Sequence, residues 1–111
     1  MGRRAARIDK NQVAVVEGLR AAGATVTSLA AVGRGCPDLV VGALGINYLI
    51  ELKNPLVKPS ARRLSPDEAD WHSCWVGQVA IIETLEEALA LVRLPKKKAT
   101  PTPRTKVCEG R

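Results

Sequence analysis

The sequence predicts an α/β fold of order α-β-β-β-α-β-α, and three observations carry that prediction. Ser65-Pro66-Asp67-Glu68 and Thr84-Leu85-Glu86-Glu87 each place a hydroxyl residue three positions before a glutamate, the pattern of a helix start in which each side chain bonds the other residue's backbone amide. Leu39-Val40-Val41 and the run from Ile46 to Lys53 are short, strand-like and separated by a glycine-flanked turn. Asp9 to Ala22 has apolar residues at helical spacing and stops at Gly23.

Taken in order, the first helix sets Ile8, Val13, Val15, Val16 and Leu19 on the side expected to cover the sheet. A turn of about 100° per residue puts Gln12 near the centre of that stripe and Asp9 at its margin, whereas Glu17 falls roughly 135° away and faces solvent. A polar Gln12 at a covered position needs a hydrogen-bond partner. Thr25-Val26-Thr27 with Leu29 reads as the first strand. Gly33-Arg34-Gly35 then forms a flexible approach in which backbone can come close to a phosphate. Pro37 stops any helix, so Asp38 sits at the mouth of the second strand. Gly42 to Gly45 turns the chain into the third strand, which ends at Asn54-Pro55.

Ser65 caps the second helix and Pro66 occupies its first turn. Glu68, Trp71 and Trp75 share one of its faces through i, i+3 and i+7 spacing. The two tryptophans are assigned to the core, because with the single Tyr48 they are all the aromatic bulk the chain has. Gly77 to Ile82 supplies the last strand, and Thr84 with Glu87 starts the third helix.

Side-chain alternation sends Glu51 and Lys53 to one face of the third strand, roughly 6.6 Å apart along it, while Leu52 points into packing. With Asp38 on the neighbouring strand, two carboxylates can hold a hard divalent cation through oxygen and leave positions for water and a phosphate oxygen. An ammonium beside them can orient the attacking water and offset charge growing on a phosphoryl centre. A plain surface ion pair explains this trio less well, since such pairs contribute about 0 to 1 kcal/mol and give no reason for opposite charges to end an apolar strand.

Length and charge bound the rest. A chain of 111 residues is one domain. Residues 8–94 are read as the folded unit, 1–7 as a basic arm and 95–111 as a basic, disordered tail. The net charge of +6 suits a polyanion. Arg3, Arg4, Arg7 and Lys96 to Lys98 serve equally as solubilising charge, whereas Lys58, Arg62 and Arg63 lie in the connection nearest the predicted site and are read, with Arg34 and Gly35, as phosphate contacts. Three cysteines without C-x-x-C spacing support neither a disulfide scaffold nor a zinc ribbon, and fit a reduced, cytoplasmic compartment. No signal peptide or long apolar span is present, which argues against export and membrane insertion.

The ordered pattern Asp9-Lys10-Asn11-Gln12, Gly33-Arg34-Gly35-Cys36-Pro37-Asp38, Glu51-Leu52-Lys53, Leu64-Ser65-Pro66 with Trp71-His72, Val79 to Ile82 and Glu86-Glu87-Ala88 resembles the PD-(D/E)xK nuclease superfamily in its stand-alone phage and bacterial VRR-NUC branch. The resemblance spans Asp9 to Val92. It implies a restriction-endonuclease-like αβββαβ core with a mixed central sheet flanked by helices. It also implies Mg²⁺- or Mn²⁺-dependent hydrolysis of DNA in a bacterial or phage-infected cell, with Asp38, Glu51 and the Leu52 carbonyl as metal ligands and Lys53 orienting water. Asp9 and Gln12 match the additional group that the superfamily takes from its first helix, although for Asp9 an N-cap is the slightly favoured reading. Small relatives imply branched DNA such as Holliday junctions as substrate and a homodimer as the working form. Glu68 stands where relatives often have glutamine, and the capping box accounts for it. His72, the single histidine, is read as structural. The alternative is a non-cleaving nucleic-acid-binding module on the same fold.

Overall fold

The computed structural model describes residues 10–96. Asp9, the arm with Arg3, Arg4 and Arg7, and the tail with Lys97, Lys98 and Cys108 lie outside the described residues, as do the side chains of Ala61 and Arg62. The elements are α1 (Lys10–Ala21), β1 (Thr25–Ser28), β2 (Leu39–Ala43), β3 (Ile46–Leu52), a 3-10 turn (Pro59–Arg62), α2 (Pro66–Cys74), β4 (Ala80–Ile82) and α3 (Leu85–Val92). Their order is the expected one.

The strands form a four-stranded mixed sheet ordered β1-β2-β3-β4. The first two pairings are antiparallel and β3 with β4 is parallel. Antiparallel neighbours need only a short turn, and Leu44-Gly45 supplies it between Ala43 and its partner Ile46. Both turn residues have positive φ, 53° and 82°, which matches the twist of the strands it joins. The parallel β4 requires a crossover, and that connection carries α2.

One face of the sheet is the core. Val26, Leu39, Val41, Ala43, Ile50 and Ile82 alternate toward it and are covered by Val15 and Leu19 of α1 and by Ala88, Leu89 and Val92 of α3. At Gly18 α1 makes room for α3, since a Cβ there would meet the Leu85 side chain at 2.3 Å. The loop after α1 closes with Gly23 at φ 110° and a bond from the Ala24 N–H to the Leu19 carbonyl, the reversal that glycine makes accessible. Both expected capping boxes are present, Ser65 with Glu68 and Thr84 with Glu87.

Four details depart from expectation. Val13 is 45% exposed, because it points roughly 140° away from the mean direction of Val15 and Leu19. Strand β2 runs on through Gly42 and Ala43, so the turn is shorter than the glycine boundaries suggested. Strand β4 starts at Ala80, not Gly77, because the Gln78 side chain takes the place of ladder pairing: Oε1 accepts from the Leu49 N–H at 2.7 Å and Nε2 donates to the Leu49 carbonyl at 3.1 Å. The tryptophans are outside the core, with Trp71 half-buried and Trp75 exposed. Indeed α2 has no buried residue. Among the described residues no helix is long and apolar enough to cross a membrane.

Leu44 is an exposed leucine held in the left-handed region, a conformation that costs a non-glycine residue about 1–2 kcal/mol and that asparagine tolerates better. Leu44→Asn is expected to raise stability by about 1 kcal/mol, read as a higher urea midpoint with an unchanged m-value.

Candidate active site

The second face of the sheet carries the charged trio. The Leu39–Ile50 pairing, extended by one residue, sets Asp38 opposite Glu51. Asp38 is fixed on both sides: its carbonyl accepts from the Leu29 N–H at 2.8 Å and its Oδ2 accepts from the Leu52 N–H at 2.7 Å. Glu51 and Lys53 project from alternate positions of the end of β3, where the Lys53 N–H donates to the Ile82 carbonyl at 2.9 Å and continues the pairing with β4. Leu52, between them, packs against the core as expected.

Lys53 bridges two carboxylates. Its Nζ lies 3.6 Å from Glu51 Oε2 and 2.8 Å from Glu68 Oε1. The same Glu68 oxygen accepts from the Ser65 N–H at 2.9 Å, so one carboxylate oxygen both caps α2 and holds the lysine. Sequence reasoning explained Glu68 by the capping box alone and missed the second contact. The available signal was its spacing after the E-x-K strand, at the place where relatives often carry glutamine.

Glu51 is the most constrained group. It is 2% exposed, it is the one buried polar or charged residue among those described, and its Oε1 has no hydrogen-bond partner. Burial pushes its carboxyl up to about 8, helped by the charges of Asp38 and Glu68 and opposed by Lys53. Asp38 is raised too, chiefly by burial, although the Leu52 N–H pulls it down. Burial lowers Lys53, but the Glu68 hydrogen bond and the surrounding carboxylates outweigh it and keep the ammonium charged. Burial is the largest influence on Glu68 and raises it, but the hydrogen bonds from Lys53 and the Ser65 N–H, with the Lys53 charge, together outweigh it, so its carboxylate lies below its ordinary range. Cys36 is raised by burial and then by Glu51 and Asp38, which places its thiol in the same field.

The remaining expected residues are distributed around this centre. Arg34 is exposed with φ 57°. Gly35, at φ 81°, makes its close approach to the first turn of α2, where a Cβ would stand 2.2 Å from the Asp67 carbonyl oxygen. Lys58 and Arg63 are exposed and flank the 3-10 turn. Gln12 is half-buried and lines, with Val16, Val26, Ser28 and Leu39, a cavity of about 230 Å³ that none of Asp38, Glu51 and Lys53 lines. Its neighbour Asn11, which sequence reasoning passed over, donates to the Glu83 carbonyl at 3.1 Å and the Lys53 carbonyl at 3.4 Å, tying α1 to the ends of β3 and β4.

Among the described residues no three histidine, cysteine, aspartate or glutamate side chains gather into a metal cage. The donors at hand are two carboxylates and backbone oxygen. That set matches a hard cation such as Mg²⁺, which takes one or two carboxylates and completes its shell with water and phosphate oxygen.

No protein-family model matches the chain, and no curated protein matches it. Among solved structures it is similar to one described as a VRR_NUC domain, at 24% identity and a TM-score of 0.54, over 76% of this chain and 91% of that one. The likeness shows the fold: the small α/β architecture with its mixed four-stranded sheet is that of a VRR-NUC domain.

Two outcomes follow from this geometry. Gly33 and Gly35 both have positive φ, but a Cβ at Gly33 meets nothing within 4 Å. Gly35→Ala is therefore expected to lose about 1–3 kcal/mol more stability than Gly33→Ala in denaturant titrations, since only it crowds α2. The second outcome concerns Glu51, whose value rises from 4.5 to about 8 on folding. Between those values the folded chain holds a proton that the unfolded chain has released, so stability falls as pH rises through the range. In chelator, Glu51→Gln should melt several degrees above wild type at about pH 8, and by a smaller margin at about pH 5. An equal margin at both would mean that ionisation of Glu51 is not the source.

Proposed function

We propose that this chain is a Mg²⁺- or Mn²⁺-dependent nuclease that hydrolyses phosphodiester bonds in DNA, on the VRR-NUC branch of the PD-(D/E)xK pattern. The observation that carries the reading is the buried Glu51 carboxylate with its unpartnered Oε1, opposite Asp38 and beside Lys53. Burial makes the ionised form costly, so the group keeps its proton up to about 8 unless a cation stands beside it. A divalent cation is the counterpart that this donor set fits, held by Asp38, Glu51 and the Leu52 carbonyl.

When bound, the cation supplies Lewis acidity toward a phosphate oxygen and water. The protein's own residues do the rest. Asp38 is immobilised by two backbone bonds, so its carboxylate presents a fixed lone pair. Lys53, kept charged and held by Glu68, orients the attacking water and offsets negative charge growing at the phosphoryl oxygens. Arg34, Lys58, Arg62 and Arg63 grip the phosphate backbone without reading bases, which makes affinity salt-dependent and sequence-neutral. The sequence carries no recognised base-reading motif, which favours selection by DNA structure, and a branched substrate cut by a homodimer with two sites is the form that the resemblance favours.

Cleavage of a labelled four-way junction, linear duplex, flap and single strand in Mg²⁺, Mn²⁺ and chelator tests this directly. Asp38→Ala, Glu51→Ala and Lys53→Ala are each expected to cut at least about 100-fold more slowly, with binding retained. Cutting of the junction alone supports structure selectivity, and cutting of every substrate means a general nuclease. Salt-sensitive binding with no cutting in any metal would identify a non-cleaving binder and overturn the proposal.

A further inference from the structure

We infer that Trp75, backed by Trp71, is a stacking platform for an unpaired nucleobase of the DNA strand engaged at the Asp38–Glu51–Lys53 site; the inference rests on the nucleic-acid reading above. The two indoles are stacked with ring centroids 4.6 Å apart and planes 18° from parallel. Trp71 is half-buried and Trp75 is 44% exposed, so Trp75 is the more open member of the stack.

That exposure is not looseness. The Trp75 Nε1–H donates to the Gln78 carbonyl at 3.1 Å, and a Cβ at Gly77 would stand 3.0 Å from the same nitrogen, so glycine leaves room for the Nε1–Cζ2 edge of the indole. Gln78 is in turn clamped to both backbone groups of Leu49 on β3. An aromatic ring left open to water yet fixed by a stack, an indole hydrogen bond and a clamp to the sheet has already lost the freedom that binding would otherwise remove.

The position of the platform gives its partner. Glu68 and Trp71 are three residues apart on α2, Trp75 caps its C-terminal end and stacks on Trp71, and Glu68 touches Lys53. From Glu68 to Trp75 the helix rises roughly 10 Å, about three stacked nucleotides. The helix therefore runs from the charged site at its first turn to the aromatic stack at its end, along a path that a single strand can follow. The bases in a duplex are already stacked on each other and offer no free face, whereas every unpaired base has one. A second copy of the chain fits less well. Trp75 and the adjoining Val76 are both exposed, but two side chains fall far short of the roughly 800 Å² per partner of a stable interface.

Titration of the full chain in chelator, read by tryptophan fluorescence, tests the platform with a short oligothymidylate and a blunt duplex of matched length. Quenching by oligothymidylate and not by duplex is expected. Trp75→Leu should weaken oligothymidylate binding about 5- to 100-fold and leave duplex binding unchanged, while Trp75→Phe, which keeps a π-face, recovers much of the loss. Equal losses on both nucleic acids, absence of quenching, or a lower sedimentation coefficient of DNA-free Trp75→Leu, which would mark a self-interface, would each overturn the inference. Cleavage by wild type and Glu51→Ala in Mg²⁺ is scored separately: stacking without cutting removes the nuclease reading and leaves the platform, and cutting without the single-strand contrast does the reverse.

Discussion

Placing the Glu51 carboxylate out of reach of water is the constraint around which the rest of this small protein is arranged. An ion cannot be desolvated cheaply, and attraction to a neighbour repays the loss only in good geometry. The chain answers with one cation beside the group and, since burial, Asp38 and Glu68 outweigh it, by keeping the carboxyl protonated up to about 8. Lys53 sits within ion-pair distance, Glu68 keeps that lysine charged and in place, and Asp38 is tied down by the amides of Leu29 and by the Leu52 N–H. Each contact joins a different element, so β2, β3, α2 and the loop before β2 meet at one point.

This explains why α2 is placed where it is although it contributes nothing to the core. With no fully buried residue and Trp71 its only half-buried apolar one, the helix has little apolar burial to hold it. It is held at its first turn, by the Glu68 bond to Lys53 and by the Gly35 backbone pressed against Asp67. The helix start is thus a structural member of the site, and the sheet face it covers stays only partly closed. Packing on the other face is conventional, with α1 and α3 sealing one apolar layer.

Much of the fold was legible in the sequence because local chemistry declares it. Capping boxes and the glycine after α1 depend on neighbours within a few residues, and both appear as read. The site was legible to the extent that strand alternation and register fix Asp38, Glu51 and Lys53. What was not legible depends on distant partners. Glu68 reads as a cap until β3 brings Lys53 to it, and Gln78 reads as the start of a strand until its amide is seen to replace one. The tryptophans were assigned to the interior on bulk alone, but the interior is filled by aliphatic residues from α1, α3 and the sheet before α2 arrives.

The Gln78 clamp has one more effect. Strand β3 runs from Ile46 to Leu52, yet β4 pairs only with its last three residues, Ile50 to Leu52, which leaves the first part of β3 on that side as an open border. Such a border is a template for a foreign strand and a route to aggregation. By occupying the donor and the acceptor of Leu49 together, the Gln78 amide seals the position where a continuing ladder would begin, and any invading strand is stopped short of the carboxylates.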